Sequence, residues 1–317
     1  MRRIDPRVAS AALLADDQEL TVSSRNGAFA AGRIQQYRFG EDTYAALWGA
    51  LQRHVLQLRV FGTDPAAAVD EVLAGLLGRL RADPCASAAA GPGAGLENDR
   101  SVALTWPSLD TACAAPLVRH GFAPLTSLVL KRLGQRADSP GGTTVRPAQP
   151  GDLERLAEQA ERLHLFEIQL GVLPRRPALR TRLAEELAGA LAGEPSFVLT
   201  ALIDGVPVGF LHGQFPHGAW IEQQVTTEPT GYLSRLFVEP EARRKSVGQA
   251  LIAAAHETLR ARGAQAVLLH HSLHNPLAAP LWARVGYRPV LTTWTRTPPG
   301  ADVQQHQGPP PPGAGLS

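Results

Sequence analysis

The sequence predicts an α/β protein with a mixed sheet (α+β), built from two tandem units of one fold. Three observations lead to this prediction. The C-terminal half orders its elements as strand, two helices, antiparallel meander, helix, strand, helix and strand. A polar segment rich in Gly and Pro, residues 134–143, separates the two halves. A short motif recurs on both sides of this segment.

The first elements of the C-terminal half are indicated by caps and turn signals. Asp152 is a predicted cap for the first helix, and Asp204-Gly205 joins two apolar runs as a hairpin turn. The predicted elements up to the meander are a strand at 144–148, helices at 152–164 and 177–192, and strands at 196–203, 206–215 and 232–238.

Periodicity defines the last elements of this half. Val247, Leu251, Ala255 and Leu259 fall four apart on one helical stripe, which Gly263 ends. The predicted elements are a helix at 247–262, a strand at 266–271, a short helix at 275–284 and a strand from residue 287.

The N-terminal half shows fewer elements. A strand at 56–61, a helix at 66–81 and a strand at 102–106 precede the first copy of the motif. The link at 61–65 contains an acid, no run of cations and no second Gly. We therefore expect no phosphate to bind there.

The recurring motif is Ser-Leu, four residues, then Ala-Ala-Pro-Leu. It occurs at 108–117 and 272–281, 164 positions apart, and each copy is followed by Gly, an aromatic residue, one residue and Pro, at 121–124 and 286–289. Two consecutive matches, 164 and 165 positions apart, indicate an internal duplication. The predicted division is a degenerate unit at 1–133, a linker at 134–143, an intact unit at 144–297 and a disordered Pro- and Gly-rich tail at 298–317.

Composition narrows the class of protein. The chain of 317 residues is long enough for two domains, and its net charge of +2 is too small for a general nucleic-acid binder. It has only two cysteines and no run near the roughly 20 apolar residues of a membrane span. We expect no nucleic-acid or membrane partner and a cytoplasmic monomer or homodimer.

The turn after the strand at 232–238 is the most informative feature. Arg243, Arg244 and Lys245 stand just before a helix start, where backbone amides point outward and the helix dipole favours anions. This combination predicts a diphosphate site. Ser246 and Gln249 also fit a capping box, so the Ser246 hydroxyl either accepts from a helix amide or donates to phosphate.

The order of elements and this turn resemble the GNAT superfamily of acetyl-coenzyme A-dependent N-acyltransferases. The family pattern Q/R-x-x-G-x-G/A is matched at 243–248, with Ser246 where the family usually has Gly. The downstream Asn, Ala, aromatic and Gly-aromatic positions are matched by Asn275, Ala278 or Ala279, Trp282 and Gly286-Tyr287. The resemblance covers about residues 143–297.

The resemblance implies acetyl-coenzyme A as co-substrate. The strand before the turn would splay from its neighbour, so that its free backbone groups bind the pantetheine arm and hold the thioester carbonyl. Asn275 would touch the cofactor arm or cap the short helix. The implied binding residues are Leu236, Phe237, Val238, Arg243, Arg244, Lys245, Ser246, Val247, Gly248, Gln249 and Asn275.

Catalytic groups carry weaker sequence signals. The position where family members often place a Glu base falls near Tyr232, where a water bridging Tyr232 and Ser234 could take the proton. Glu222, Glu228 and His212, upstream of this position, could also serve as the base. Trp282 stands where many members have a Tyr general acid; it either donates to the thiolate or packs. The remaining polar cluster, at residues 270–274, has three histidines without a nearby carboxylate or cysteine, and we expect no metal there.

These expectations give a main hypothesis and two rivals. The main one is acetyl-coenzyme A-dependent N-acetylation of a primary amine of a small molecule or peptide, by direct transfer in a ternary complex. The departures at Ser246 and Trp282 motivate a second hypothesis, a non-catalytic acyl-coenzyme A-binding regulatory module. A nucleic-acid or partner-binding scaffold is the third. Segments 167–176 and 216–231 are expected to line the acceptor cleft, for a cationic amine such as an aminoglycoside or polyamine, or for a peptide amine.

Overall fold

The computed structural model describes residues 5, 7–8, 20–25, 27–82, 99–134, 142–217 and 224–296. Most of the predicted linker and all of the predicted tail therefore lie outside the described residues. Within the described ranges, no helix has the length and apolarity needed to span a membrane.

The N-terminal half contains five strands, two α-helices and two 3-10 helices, at Tyr44–Trp48 and Thr111–Cys113, among its described residues. Their bounds are β1 Thr21–Arg25, β2 Ala28–Arg38, β3 Gln52–Phe61, α1 Ala66–Ala82, β4 Arg100–Pro107, α2 Ala114–Arg119 and β5 Ala123–Arg132.

The C-terminal half follows the predicted order of elements. Their bounds are β6 Thr144–Pro147, α3 Leu153–Gln169, α4 Leu179–Leu191, β7 Ser196–Ile203, β8 Val206–Gln214, β9 Thr230–Val238, α5 Val247–Ala261, β10 Ala266–Ser272, α6 Ala278–Val285 and β11 Arg288–Arg296.

The local signals that defined these elements are present in the structure. Asp204 and Gly205 both have positive φ, at 50° and 77°, and they close the β7–β8 hairpin. All four residues of the predicted α5 stripe are buried, and Gly263 follows the helix at φ 80°. The predicted cap of α3 by the Asp152 side chain is wrong, because this carboxylate accepts from the Gln149 amide and from no amide of α3.

All eleven strands form one sheet, in the order β1-β2-β3-β4-β11-β5-β10-β9-β8-β7-β6. The last strands of the two halves are exchanged. β5 pairs antiparallel with β10 along Ala266–Ser272, and β11 pairs with β4 as well as β5. Each half is therefore completed by a strand of the other, and the core is shared.

The two halves repeat one path. The order β3, α1, β4, α2, β5 corresponds to β9, α5, β10, α6, β11, and both first pairs, β3–β4 and β9–β10, are parallel. The recurring motif forms α2 and α6, each ended by a Gly with positive φ, Gly121 at 78° and Gly286 at 101°.

The halves also meet away from the sheet. Leu47 of the 3-10 helix is fully buried in a cluster with apolar residues of α3 and α4. The buried Arg176 guanidinium binds the Asp99 carboxylate and donates to the Gly49 carbonyl at 3.1 Å. The N-terminal half therefore forms one side of the region beside α3.

Candidate active site

The sheet opens between β9 and β10. These parallel strands pair only from Thr230 to Leu233 on β9, although β9 continues to Val238. β10 stays paired with β5 as far as Ser272, so it does not follow β9. A gap results along residues 234–238, which is the splay that the resemblance implied.

The backbone of β9 presents hydrogen-bonding groups to this gap. The Glu239 amide donates to the Val208 carbonyl at 2.9 Å, so strand alternation directs the polar groups of Phe237 toward β8. Those of Leu236 and Val238 point the opposite way, into the gap. The Val238 carbonyl accepts from Arg243 Nε at 3.1 Å, which folds the first cation of the turn back over the strand end.

The turn leaves a row of amides available. Among the described residues, no backbone or side-chain acceptor receives the amides of residues 244–249, and the first helical bond is from Ala250 N to Ser246 O. Arg244 and Ser246 both have left-handed backbone, at φ 62° and 60°. Successive amides in such a turn form a concave anion-binding surface, at the positive end of the α5 dipole.

The predicted capping box is wrong. Ser246 is the residue before α5, but its side chain makes no cap bond. A capping residue needs extended backbone to turn its oxygen toward the helix amides, and the left-handed backbone of Ser246 does not provide it. This conformation also explains why Gly is usual at the position, since Gly adopts it without steric cost.

The start of the turn is tied to α3 through Glu239, whose role the sequence did not reveal. This buried carboxylate accepts from Gln159 Nε2 at 3.0 Å and from the guanidinium groups of Arg155 and Arg162. Burial by itself would raise the pKa of Glu239, but the bonds from Gln159 and Arg162 outweigh it and the pKa is lowered. The charged form is thus held in place and fixes the entry to the turn.

A cavity of about 680 Å³ occupies the gap and extends along α3. Most of the predicted residues line it. They are Ser234, Leu236, Phe237, Val238, Arg243, Arg244, Ser246, Val247, Gly248, Gln249, Asn275 and Trp282.

Lys245 and Tyr232 are predicted residues that do not line the cavity. The side chain of Lys245 is exposed. Tyr232 is buried on the other side of the gap wall, with its hydroxyl 3.0 Å from His270 Nδ1, and burial raises its pKa above the ordinary value. His270 does line the cavity, as does His271. Burial lowers the pKa of His270 to about 4, so its ring is neutral.

The remaining predicted bases lie elsewhere. Glu222 is outside the described residues, and Glu228 is exposed and not part of the cavity wall. His212 is buried beside Arg235, and burial lowers its pKa to about 3. Trp282 packs edge-on against Tyr287 at 5.3 Å in the core under α5 while it lines the cavity.

Glu167 on α3 is a cavity residue that the sequence did not single out as a base. Its Oε1 accepts from Asn275 Nδ2 at 2.7 Å, and its Oε2 has no partner among the described residues. Burial raises the pKa of Glu167. Asn275 Oδ1 accepts from the Leu277 amide at 3.0 Å, so Asn275 both orders the start of α6 and orients the carboxylate.

Beside Glu167, the N-terminal half reaches the cavity with Trp48. The Trp48 ring meets the His164 ring edge-on at 5.4 Å, and the Arg235 guanidinium lies 5.1 Å from its centroid. Arg235 in turn pairs with Glu186 at 2.5 Å and donates to Tyr44 at 3.0 Å. Four elements from two halves of the chain thus meet at this end, namely the first 3-10 helix, α3, α4 and β9.

No group of three or more His, Cys, Asp or Glu side chains within the described ranges has the arrangement of a metal site. The described groups at the cavity include backbone amides, arginine cations, hydroxyl and amide side chains, histidine and tryptophan rings, and the Glu167 carboxylate. The amides and cations of the turn suit an anionic, nucleotide-like ligand. The carboxylate on α3 is suited to accept a proton.

Comparisons with known proteins agree with this arrangement. Residues 161–287 match the family model described as "Acetyltransferase (GNAT) family". Residues 161–287, in the C-terminal half, therefore form a domain of the GNAT acetyltransferase family. No match is found among curated proteins.

Several solved structures are similar. A GCN5-related N-acetyltransferase from Sphaerobacter thermophilus is 17% identical over 84% of this chain and 76% of that chain, with a TM-score of 0.49. Another from Kribbella flavida is 15% identical over 88% and 89%, with a TM-score of 0.43. One from Ralstonia eutropha JMP134 is 26% identical over 47% and 94%, with a TM-score of 0.37. TM-scores below 0.5 do not establish a relationship by themselves.

Proposed function

We propose that this protein is an acetyl-coenzyme A-dependent N-acetyltransferase that acetylates a primary amine by direct transfer in a ternary complex. The observation that carries the proposal is the combination of the gap in the sheet with the turn at its end. The gap offers the backbone groups of Leu236 and the amide of Val238, and the turn offers six amides, from Arg244 to Gln249, that have no acceptor among the described residues.

The residues present fit acetyl-coenzyme A. Its diphosphate would be held by the amides of residues 244–249 with Arg243 and Arg244, and its arm by the β9 backbone. Gly248 leaves room for close approach, because a Cβ there would meet only Val238, at 3.8 Å. When bound, acetyl-coenzyme A supplies the activated acetyl group as a thioester.

We assign the proton-acceptor role to Glu167. The acceptor amine is an ammonium ion at neutral pH and must lose a proton before its nitrogen can attack. Glu167 lines the cavity, Asn275 holds its Oε1, and its Oε2 is buried without a partner among the described residues, so a small side-chain rotation would be needed to present Oε2 to the amine. As the C–N bond forms and the C–S bond breaks, the nitrogen gives up two protons. One leaves through Glu167 to solvent and the other ends on the sulfur.

A pH profile tests the role of Glu167. Because burial raises its pKa, the carboxylate is protonated and inactive below that pKa and becomes a base above it. We expect kcat/KM to rise with pH through a pKa above 4.5. Glu167→Gln should lower kcat by about 100-fold or more, remove this limb of the profile and leave coenzyme A binding unchanged.

The control is Glu158→Gln, on the same helix but exposed and paired only with Arg155 among the described residues. It should change neither kcat nor the profile. If Glu167→Gln keeps full kcat and the same profile, Glu167 is not the base. If coenzyme A binds but no amine in a broad panel releases thiol, the chain is a non-catalytic acyl-coenzyme A-binding module instead.

A further inference from the structure

The part of the cavity beside α3 is mainly apolar. Residues three, four and seven apart share one helix face, and Ala160, Leu163, His164 and Glu167 follow this spacing along the cavity wall. This part of the wall is made by Trp48, Leu163, Phe166, Glu167, Val172 and Leu173.

Trp48, from the N-terminal half, lines this part of the cavity with its ring held in a fixed position. It ends the 3-10 helix that Leu47 anchors in the cluster under α3 and α4. Its ring is held between the edge contact with His164 and the guanidinium of Arg235. A ring fixed on both sides offers contact area at little cost in conformational entropy.

The charges around this apolar surface are few. Among the described residues that line the cavity, Glu167 is the single carboxylate. The positive charge of Arg235 is already paired with Glu186 and covers one face of Trp48. Burial lowers the pKa of His164 to about 4, so this ring is neutral. The described part of the wall therefore offers one unpaired negative charge.

We infer that the acceptor is a primary monoamine with an apolar, preferably aromatic, body. This rests on the proposed acetyl transfer. The ammonium group pairs with Glu167, and the body lies against Trp48 and the apolar face of α3. A polyamine or aminoglycoside would bring further ammonium groups beside Arg235, where no carboxylate of the described wall is left to pair with them, and an unpaired charge in such a place is costly.

Binding of two probe amines tests this inference without turnover. Phenethylamine and spermidine are titrated by calorimetry into the full chain with coenzyme A present. We expect phenethylamine to bind at least about 10-fold tighter, because its ring buries apolar area that spermidine lacks. Equal affinities, or tighter binding of spermidine, would overturn the assigned acceptor class.

Substitutions at Trp48 locate the site. Trp48→Ala should weaken phenethylamine binding about 10-fold, and Trp48→Phe should restore most of it. Phe61→Ala, which removes a ring of similar exposure (39% against 40%) in the same half, is the matched control and should have no effect. If Trp48→Ala and Phe61→Ala behave alike, Trp48 does not form the acceptor wall.

A second carboxylate in the cavity wall should shift the binding preference from the monoamine toward the polyamine. Leu173→Asp places a charge on the apolar wall, and we expect the ratio of spermidine to phenethylamine affinity to rise about 10-fold, the effect of roughly 1.4 kcal/mol. An unchanged ratio in a folded variant contradicts the charge argument. Failure of the proposed function is distinguishable, because it would appear as absent thiol release while these binding preferences persist.

Discussion

The β3–α1 turn and the β9–α5 turn occupy the same place in the repeated path, and they differ although both strands separate from their parallel neighbours. β3 leaves its parallel partner after Leu56, as β9 does after Leu233. The N-terminal turn then needs only residues 62–65 to reach α1, whereas residues 239–246 separate β9 from α5. We therefore expect that a gap between strands is not sufficient for an anion site, and that the length of the turn makes the difference.

The chemistry of the short turn is also unfavourable. Pro65 removes one amide, and Asp64 adds a negative charge. Gly62, at φ 96°, packs so closely that a Cβ would lie 2.7 Å from the Ala28 Cα. The longer turn instead projects six amides and two cavity-lining cations. We therefore expect the N-terminal half to contribute β5 and Trp48 rather than a second binding site.

Separating the halves should have the largest effect. We expect residues 142–317 expressed alone to show no cooperative unfolding transition, because β10 loses β5 along its length and β11 loses both neighbours. Co-expression of residues 1–141 should restore a folded complex, as judged by calorimetry. A soluble, cooperatively folding fragment with the melting temperature of the full chain would contradict the exchange of strands.

Introducing an aspartate at the start of α5 or of α1 compares the two turns directly. Gly248→Asp should raise the Kd for coenzyme A about 100-fold or more, since like charges about 4 Å apart repel by about 4 kcal/mol at an effective dielectric constant of about 20. The side chain fits, and an acid in the first helical turn favours folding. Ala67→Asp, at the same place in α1, should leave the Kd unchanged.

The cations of the turn should contribute unequally. Arg243→Ala and Arg244→Ala should each raise the Kd about 10-fold, the usual scale for one charge-assisted hydrogen bond. Lys245→Ala should change it only about two-fold, because Lys245 does not line the cavity and contributes through a screened field. Asp64→Ala is the control without effect. Equal losses at all three cations would indicate a diffuse electrostatic attraction instead.

Exchanging Ser and Gly between the turns should give the smallest effects. Ser246→Gly should relieve about 1 kcal/mol of left-handed strain and raise the melting temperature by about 2 °C, with coenzyme A binding equal or tighter. Gly62→Ser should lower the melting temperature, because its Cβ meets backbone. A weaker affinity of Ser246→Gly for coenzyme A would show that the Ser246 hydroxyl binds phosphate.

Local sequence signals predicted much of this architecture. The α5 stripe, the Asp204-Gly205 hairpin and the cations of the turn depend on neighbours in the chain, and the structure contains the predicted elements. The exchange of β5 and β11 could not be predicted, because strand pairing is a choice between distant segments that all carry the same alternating pattern. Glu167 was expected only as part of the acceptor cleft and was not singled out as a candidate base, since its partner Asn275 is 108 residues away.

Ser246 shows a different limit. Its spacing from Gln249 is that of a capping box, and the sequence cannot distinguish a cap from a left-handed turn residue. The backbone conformation of Ser246 determines which of the two it is. That conformation depends on the preceding residues of the turn, which include a second left-handed position at Arg244. The same spacing thus predicted the helix start but not the direction of the hydroxyl.

The stoichiometry of coenzyme A binding tests the central claim most directly. Calorimetric titration of the full chain should give one coenzyme A per chain, lost in Gly248→Asp and retained in Ala67→Asp. Two equivalents per chain, or loss of binding in Ala67→Asp alone, would contradict the assignment of the site to the longer turn.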